Sequence, residues 1–472
     1  MATGVLRKKN IAEALEMAET GKFKLRRELR AIDLFFLVIG ITVGGGIFVL
    51  PGVMAAQHAG PAVTISFLIG AVVAIFTGLC YVEFASMVPV AGSAYTYSYL
   101  ALGEIFAWVI GWNVLLEFTM VCSAVAVSWS GYVVELLKNI GLQIPAAFTA
   151  DIGHGGIVNV PAVLILLVVA FIVYGGISQT GKVNDIISVI KLLTVLFFII
   201  IAIPFVKPIN WHPFLPFGWK GVMTAASLGF FAYGGFDAVT TASEETKNPN
   251  RDIPIGLICG LVFVALLYTI VSLVLTGMVH YSQLDTPAPV AFALSYVGKR
   301  WGGGLVAAGA ICGLFTVMMG TMLGSSRILF ALSRDGLLPP VFSHVHVTRR
   351  TPYFSTLIVL AVAVLMAGFL PLGVLVELVN IGMLTAYFLT SISILVMRVK
   401  QPDVKRPFKV PAVWFVAPVA TIGVVALICS LPKATLIRFA IWSIIGLIVY
   451  FGYGVKHSRL AQETQSPADV AM

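Results

Sequence analysis

Two glycine-rich stretches interrupt apolar segments: Gly40-Ile41-Thr42-Val43-Gly44-Gly45-Gly46-Ile47-Phe48, and Gly229-Phe230-Phe231-Ala232-Tyr233-Gly234-Gly235-Phe236-Asp237. A glycine inside a helix costs about 1 kcal/mol against alanine, so the run Gly44 to Gly46 marks a break. A broken helix presents free N–H groups where its second half begins and free C=O groups where its first half ends. Such a pair of partial charges suits a zwitterion. The amides of Gly44, Gly45 and Gly46 are expected to receive a carboxylate, and the carbonyls near Ile41 and Thr42 an ammonium. The second stretch adds the carbonyls of Phe231, Ala232 and Gly234, with Phe231 and Tyr233 placed to close over the ligand as a thin gate. Glycine removes the Cβ that would hold a ligand off the backbone. A free α-amino acid is the smallest common metabolite carrying both charges.

Lys191 stands in the apolar run Ile186 to Pro204, too far from its ends to reach water easily. Insertion scales put a lysine at mid-membrane at about 2.5 to 3.5 kcal/mol, which makes such a residue a functional candidate. The alternative is a lysine paired permanently to a carbonyl or a carboxylate for structural reasons. Glu83, Asn113, Glu117, Asp237 and Glu377 are further polar residues within apolar segments. Glu117, which follows Gly111-Trp112-Asn113, is the best placed of them to line a substrate route, whereas Asp237 is expected to tie the second break together. His344-Val345-His346 and the pair Cys80 and Glu83 bring too few ligands together for a metal. With no nucleophile elbow, Walker loop or His-Glu-x-x-His, the sequence offers neither catalysis nor ATP hydrolysis, and no cofactor is expected.

The elements that hold these residues must be membrane helices. The chain is 59% hydrophobic and 11% charged, which excludes a soluble domain. Stretches such as Val163 to Val173 are apolar on every face, which excludes the period-two alternation of a β-barrel. Segments are expected at 32–57, 62–88, 100–135, 157–177, 183–205, 217–243, 253–280, 303–333, 353–370, 373–398, 412–430 and 435–454. An even number of crossings leaves both termini on one side. The basic residues identify it as cytoplasmic: Arg26, Arg27, Arg30, Arg349, Arg350, Arg398, Lys405 and Arg406 fall there, as the positive-inside rule requires. That distribution explains the net charge of +9 without a nucleic-acid partner. The five cysteines all lie in apolar segments, at spacings that match no disulfide or metal framework. Residues 1–31 lack a signal-peptide pattern and are expected to remain as a cytoplasmic segment.

The second break lies five segments after the first. Glycine-interrupted helices at matching places in two halves point to an inverted-repeat transporter with its site near the bilayer midplane. A single glycine pair is equally compatible with close helix packing. Contiguous glycines repeated at the symmetric position favour the break.

Further motifs are Pro89-Val90-Ala91-Gly92-Ser93-Ala94-Tyr95, Glu244-Glu245-Thr246-Lys247-Asn248-Pro249-Asn250-Arg251-Asp252-Ile253-Pro254, Ser333-Arg334-Asp335-Gly336, Asn380-Ile381-Gly382 and Pro402-Asp403-Val404-Lys405-Arg406-Pro407-Phe408. With the two breaks, they make the chain resemble, over nearly its whole length, the amino acid/polyamine/organocation superfamily of secondary transporters. Within it, the likeness is to the bacterial cationic amino acid transporter family. The resemblance implies an all-α integral membrane protein of LeuT-like fold with twelve transmembrane helices, the first and sixth discontinuous. Residues 32–206 and 217–398 would be five-helix repeats, 412–454 two appended helices, and 455–472 a cytoplasmic tail. It also implies import of L-amino acids across the inner membrane, with Gly44, Gly45 and Gly46 at the carboxylate and Phe231, Ala232 and Gly234 around the amine and gate, beside Thr42 and Tyr233 of the same breaks. Lys191 would stand where sodium symporters of this fold hold a sodium ion, so protons are the expected coupling ion. Amino acid exchange and non-transporting sensing are the alternatives. Gly45, Asn113 and Gly234 depart from the residues common in the family, and Gly234 is expected to widen the pocket.

Overall fold

The first apolar segment does not form one helix. In the computed structural model, α1 (Ala31–Thr42) starts with the Asp33 carboxylate accepting a hydrogen bond from the Arg30 N–H at 2.8 Å. It stops at Val43, whose ψ of 94° leaves the helical region, and Gly44 is non-helical as well. The helix resumes as α2 (Gly45–Phe48) and α3 (Leu50–Met54), then passes through a π turn, Ala55–Ala59, and a 3-10 turn, Gly60–Ala62, into α4 (Val63–Met87). The structure describes residues 29–87, 93–142, 144–150, 155–175, 181–236, 246–345, 351–404 and 406–459, together with Arg7, Ile152, Val239 and Ala461.

The remaining helices are α5 (Ser93–Ala101), α6 (Glu104–Asn139), α7 (Val160–Tyr174), α8 (Gly181–Ala202), α9 (Gly218–Gly229), α10 (Pro249–Met278), α11 (Pro289–Tyr296), α12 (Arg300–Arg334), α13 (Tyr353–Phe369), α14 (Leu372–Lys400), α15 (Val413–Ser430) and α16 (Lys433–Val449). The one β contact described is an isolated bridge between Leu29 and Thr246. Among the described residues, eight helical segments are long and apolar enough to cross a membrane. This differs from the twelve crossings expected because α1 and α9 each stop after 12 residues, at a break. In addition, α7 and α13, at 15 and 17 residues, fall just short of a full span, and α3 runs through two tight turns into α4 as one segment. Outward faces carry large apolar side chains such as Phe171, Ile200 and Ile422, exposed by 76, 70 and 67%. Only a lipid solvent makes such a surface favourable.

Two groups of helices hold the breaks in place. The first joins α1 and α4 to α10, and the second joins α6 to α12 and α14. Small residues allow the close approach: a Cβ on Gly260 of α10 would lie 2.6 Å from Val38 Cβ of α1, and one on Gly324 of α12 would lie 2.8 Å from the Phe118 ring of α6. A buried ion pair fastens the far ends of α4 and α14. There Arg398 Nε and Nη2 donate to the two Glu83 oxygens at 2.8 and 2.7 Å, and the Val410 N–H adds a third bond at 2.7 Å. Glu83 therefore serves the scaffold.

Candidate functional site

The sixth apolar segment breaks in its own way. Beyond Gly229, α9 tightens into a 3-10 turn, Phe230–Tyr233, and at Gly234 the backbone turns out with ψ 150°. Gly235 has φ +90°, in the left-handed region that favours glycine, and a Cβ there would strike Ile41 Cγ2 at 2.4 Å. The turn is anchored from two sides. Asn380 of α14 donates from Nδ2 to the Leu228 carbonyl at 2.9 Å, and the Tyr233 hydroxyl donates to the Phe67 carbonyl of α4 at 2.8 Å. Both bonds satisfy or restrain backbone that hydrocarbon could not solvate.

The two breaks touch. A Cβ on Gly46 would fall 2.6 Å from Ala232 Cα and 2.7 Å from its Cβ, so glycine is required where α2 crosses the 3-10 turn. The Tyr268 hydroxyl of α10 lies 2.7 Å from the Thr42 carbonyl and 2.9 Å from the Ala232 carbonyl. A tyrosine has one proton to donate, so the hydroxyl serves the two carbonyls in turn and keeps both breaks within its reach.

Between the breaks lies a cavity of about 310 Å³, at the lower end of the usual range of ligand sites. One wall is backbone, from Gly40 to Thr42 and from Gly44 to Gly46, with Gly234 and Gly235 of the second break opposite. The N–H groups of Gly45 and Gly46 belong to the first turn of α2 and have no partner within that helix. Mostly apolar side chains close the rest: Phe118, Val121 and Val125 of α6, Val317 of α12, and Val379 and Met383 of α14, together with Phe231, while Thr316 and Thr321 of α12 line it with hydroxyls that donate to carbonyls of their own helix. Two ionisable side chains reach this lining, Glu117 and Lys191.

Lys191 is 1% exposed. Its Nζ donates to the Gly40 carbonyl at 3.1 Å, and its aliphatic stem lies over Gly313, where a Cβ would meet Lys191 Cγ at 2.8 Å. The amine from α8 is thus wedged between α1 and α12, within one turn of the first break.

Of the residues singled out in the sequence, Thr42, Gly44, Gly45, Gly46, Glu117, Lys191, Phe231 and Gly234 come together around the cavity. Three do not line it. Ala232 packs its Cα and Cβ against Gly46, Tyr233 turns its ring toward α4, and Asn113 is buried outside the lining with no hydrogen bond to its Oδ1 among the described residues. Asp237 lies outside the described residues. The Thr42 hydroxyl donates to the Val38 carbonyl at 2.7 Å, so that residue faces the cavity with its hydrogen already committed. The room expected from Gly234 is partly taken by Met383, whose sulfur would sit 2.7 Å from a Cβ at that position.

Sequence reasoning missed Tyr268, Asn380 as an anchor of the second break, and the contribution of α12. Tyr268 is one of 14 tyrosines, and the carbonyls it serves are exposed only after both helices have broken. For α12 the available signal was the glycine series Gly313, Gly320 and Gly324 within an apolar segment.

A polytopic helical protein with a small cavity between two interrupted helices belongs to the class of membrane carriers. The chain belongs to the amino acid permease family, whose model matches residues 29–450. It is 44% identical over 467 residues to the branched-chain amino acid permease BcaP of Bacillus subtilis, covering 98% of this chain and 100% of that protein. To the methylthioribose transporter of the same organism it is 45% identical over 446 residues, 94% of this chain and 96% of the relative. Human cationic amino acid transporter 4 is 38% identical over 393 residues, 80% of this chain and 61% of the longer protein. These relatives are permeases or transporters by name.

Proposed function

We propose that this protein carries L-amino acids with apolar side chains across the cell membrane by alternating access. The observation that supports this most is the cavity itself, in which backbone charge of both signs meets a largely apolar wall. The α-carboxylate is assigned to the amides of Gly45 and Gly46, and the ammonium to the carbonyls around Ile41 and Thr42. The side chain points at Val121, Val125, Val317 and Met383. The likeness to a branched-chain permease over the whole chain supports the same choice. Ala232 and Tyr233 then act behind the site, one as the packing surface for Gly46 and the other as an anchor.

The same reading takes the fold as a LeuT-like pair of inverted five-helix repeats, 32–206 and 217–398, followed by two further helices, with both termini cytoplasmic. The paired breaks and the basic cytoplasmic-side loops support it. Protons are the coupling ion. Lys191 fills the space beside the first break with an ammonium that would repel sodium, and its hydrogen bond to Gly40 ties its protonation to the position of α1.

One observation favours a second reading: Glu117 lines the cavity, and a carboxylate there could hold the side chain of a cationic amino acid. Uptake into proteoliposomes separates the two readings. Labelled leucine, driven by an imposed pH gradient without sodium, should accumulate and be displaced by excess isoleucine or valine more strongly than by arginine, lysine or methylthioribose. Preferential displacement by arginine would establish the second reading. Transport that appears only with amino acid on the far side would establish exchange, and binding without flux would establish a sensor.

A further inference from the structure

The turn that joins α14 to α15 builds a cleft of about 470 Å³, far from the breaks in sequence and lined by Arg398, Asp403, Arg406, Lys409 and Trp414. We propose that this cleft binds the phosphodiester headgroup of an anionic phospholipid.

The charges in it do not balance. Among the described residues three cations line it with one carboxylate, Asp403, and the nearby Glu83 carboxylate is already occupied by Arg398 and the Val410 N–H. The terminal nitrogens of Arg406 are spent on the carbonyls of Pro402, Val404, Met397 and Gln401. Its Nε has no hydrogen-bond partner among the described residues, the Glu83 Oε1 atom being 3.4 Å away. Arg406 is 8% exposed and lines the cleft, its Nε held in an ion pair with Glu83 that makes no hydrogen bond. Burial, then the neighbouring Arg398, push the guanidinium below its ordinary range, while Glu83 and Asp403 act in the opposite direction. An added anion would relieve that excess. Lys409 is exposed and makes no ion pair among the described residues.

The depth of the cleft identifies the anion. Arg398 lies in the last turn of α14 and Trp414 in the first turn of α15, and both helices are apolar enough to cross the bilayer. Trp414 and Phe415 are 65 and 63% exposed. Aromatic side chains left bare at the end of a membrane helix settle at headgroup level, and basic pockets between helix ends there take anionic headgroups. The N-terminus of α15 carries no side-chain cap, so its free N–H groups add partial positive charge beside Trp414.

The test uses the full chain purified in detergent, with thermal unfolding followed during titration with phosphatidylglycerol, phosphatidylcholine or inorganic phosphate. Phosphatidylglycerol should raise the melting temperature saturably and phosphatidylcholine should not. Lys409→Gln, which removes an exposed cation and no structural bond, should raise the half-saturating concentration about fivefold, the attraction lost with one basic residue at a lipid surface. Equal stabilisation by phosphatidylcholine, or an unchanged titration in the variant, would overturn the proposal. So would suppression of the phosphatidylglycerol effect by inorganic phosphate, because the site would then take a free anion rather than a lipid.

Discussion

Lys191 Nζ donates to the Gly40 carbonyl at 3.1 Å, joining α8 to the last turn of α1 just before that helix breaks. Lys191, 1% exposed beside the end of α1, is held there by that bond. Any change in its proton inventory changes what holds α1 against α8. Lys191→Ala is therefore expected to abolish uptake driven by a pH gradient while leaving equilibrium leucine binding within about threefold, less than 1 kcal/mol. Parallel flux and binding measurements check this. Equal loss of both would make Lys191 a structural residue.

The contact between the breaks predicts opposite outcomes at neighbouring glycines. Gly46→Ala would force a Cβ to 2.6 Å from the Ala232 backbone. Overpacking of that kind typically costs about 1 to 3 kcal/mol, and it would pry the two breaks apart. Thermal unfolding should fall and uptake should be lost. At Gly45 the added Cβ would lie 3.6 Å from Val125 Cγ2, an ordinary contact. Gly45→Ala should fold normally and discriminate more strongly against large substrates, which competition by leucine and alanine would measure.

Tyr268→Phe removes one hydroxyl and leaves the ring packed against Phe67 and Tyr233. Two break carbonyls then share no donor. An unsatisfied buried carbonyl costs about 1 to 3 kcal/mol, so the variant should fold, melt a few degrees lower and transport at least tenfold more slowly. Normal uptake by a well-folded variant would show that the bridge between Thr42 and Ala232 is dispensable.

Glu83 anchors the scaffold away from the cavity. Glu83→Gln leaves Arg398 and the buried Arg406 without their carboxylate, and breaking such a pair costs about 3 to 5 kcal/mol. A large fall in melting temperature is expected, with an unchanged leucine affinity in whatever fraction folds. Size-exclusion profiles and binding on the folded peak give both numbers.

Much of this site could be read from residue types because it is built from backbone. Three adjacent glycines cannot sit comfortably in a membrane helix, and a lysine in hydrocarbon demands a reason, so Gly44 to Gly46 and Lys191 were legible at once. The second break was legible as a place but not as a set of orientations. In a 3-10 turn each residue points about 120° from the last, which is why Phe231 faces the cavity while Ala232 and Tyr233 face α2 and α4. Tyr268 and Asn380 were not legible as anchors, because their acceptors are carbonyls that regular helices would have used. Among the described residues fewer single helices are long enough to span than the sequence has apolar segments, in part because two of those segments are cut by their own breaks.

Everything proposed for this protein requires that the space between the two interrupted helices hold the amino acid. A structure determined with leucine bound tests it most directly. The expected result is ligand density within the cavity, its carboxylate at the Gly45 and Gly46 amides and its side chain against Val121, Val125 and Met383. Leucine located elsewhere on the protein, with that cavity still empty, would contradict the account.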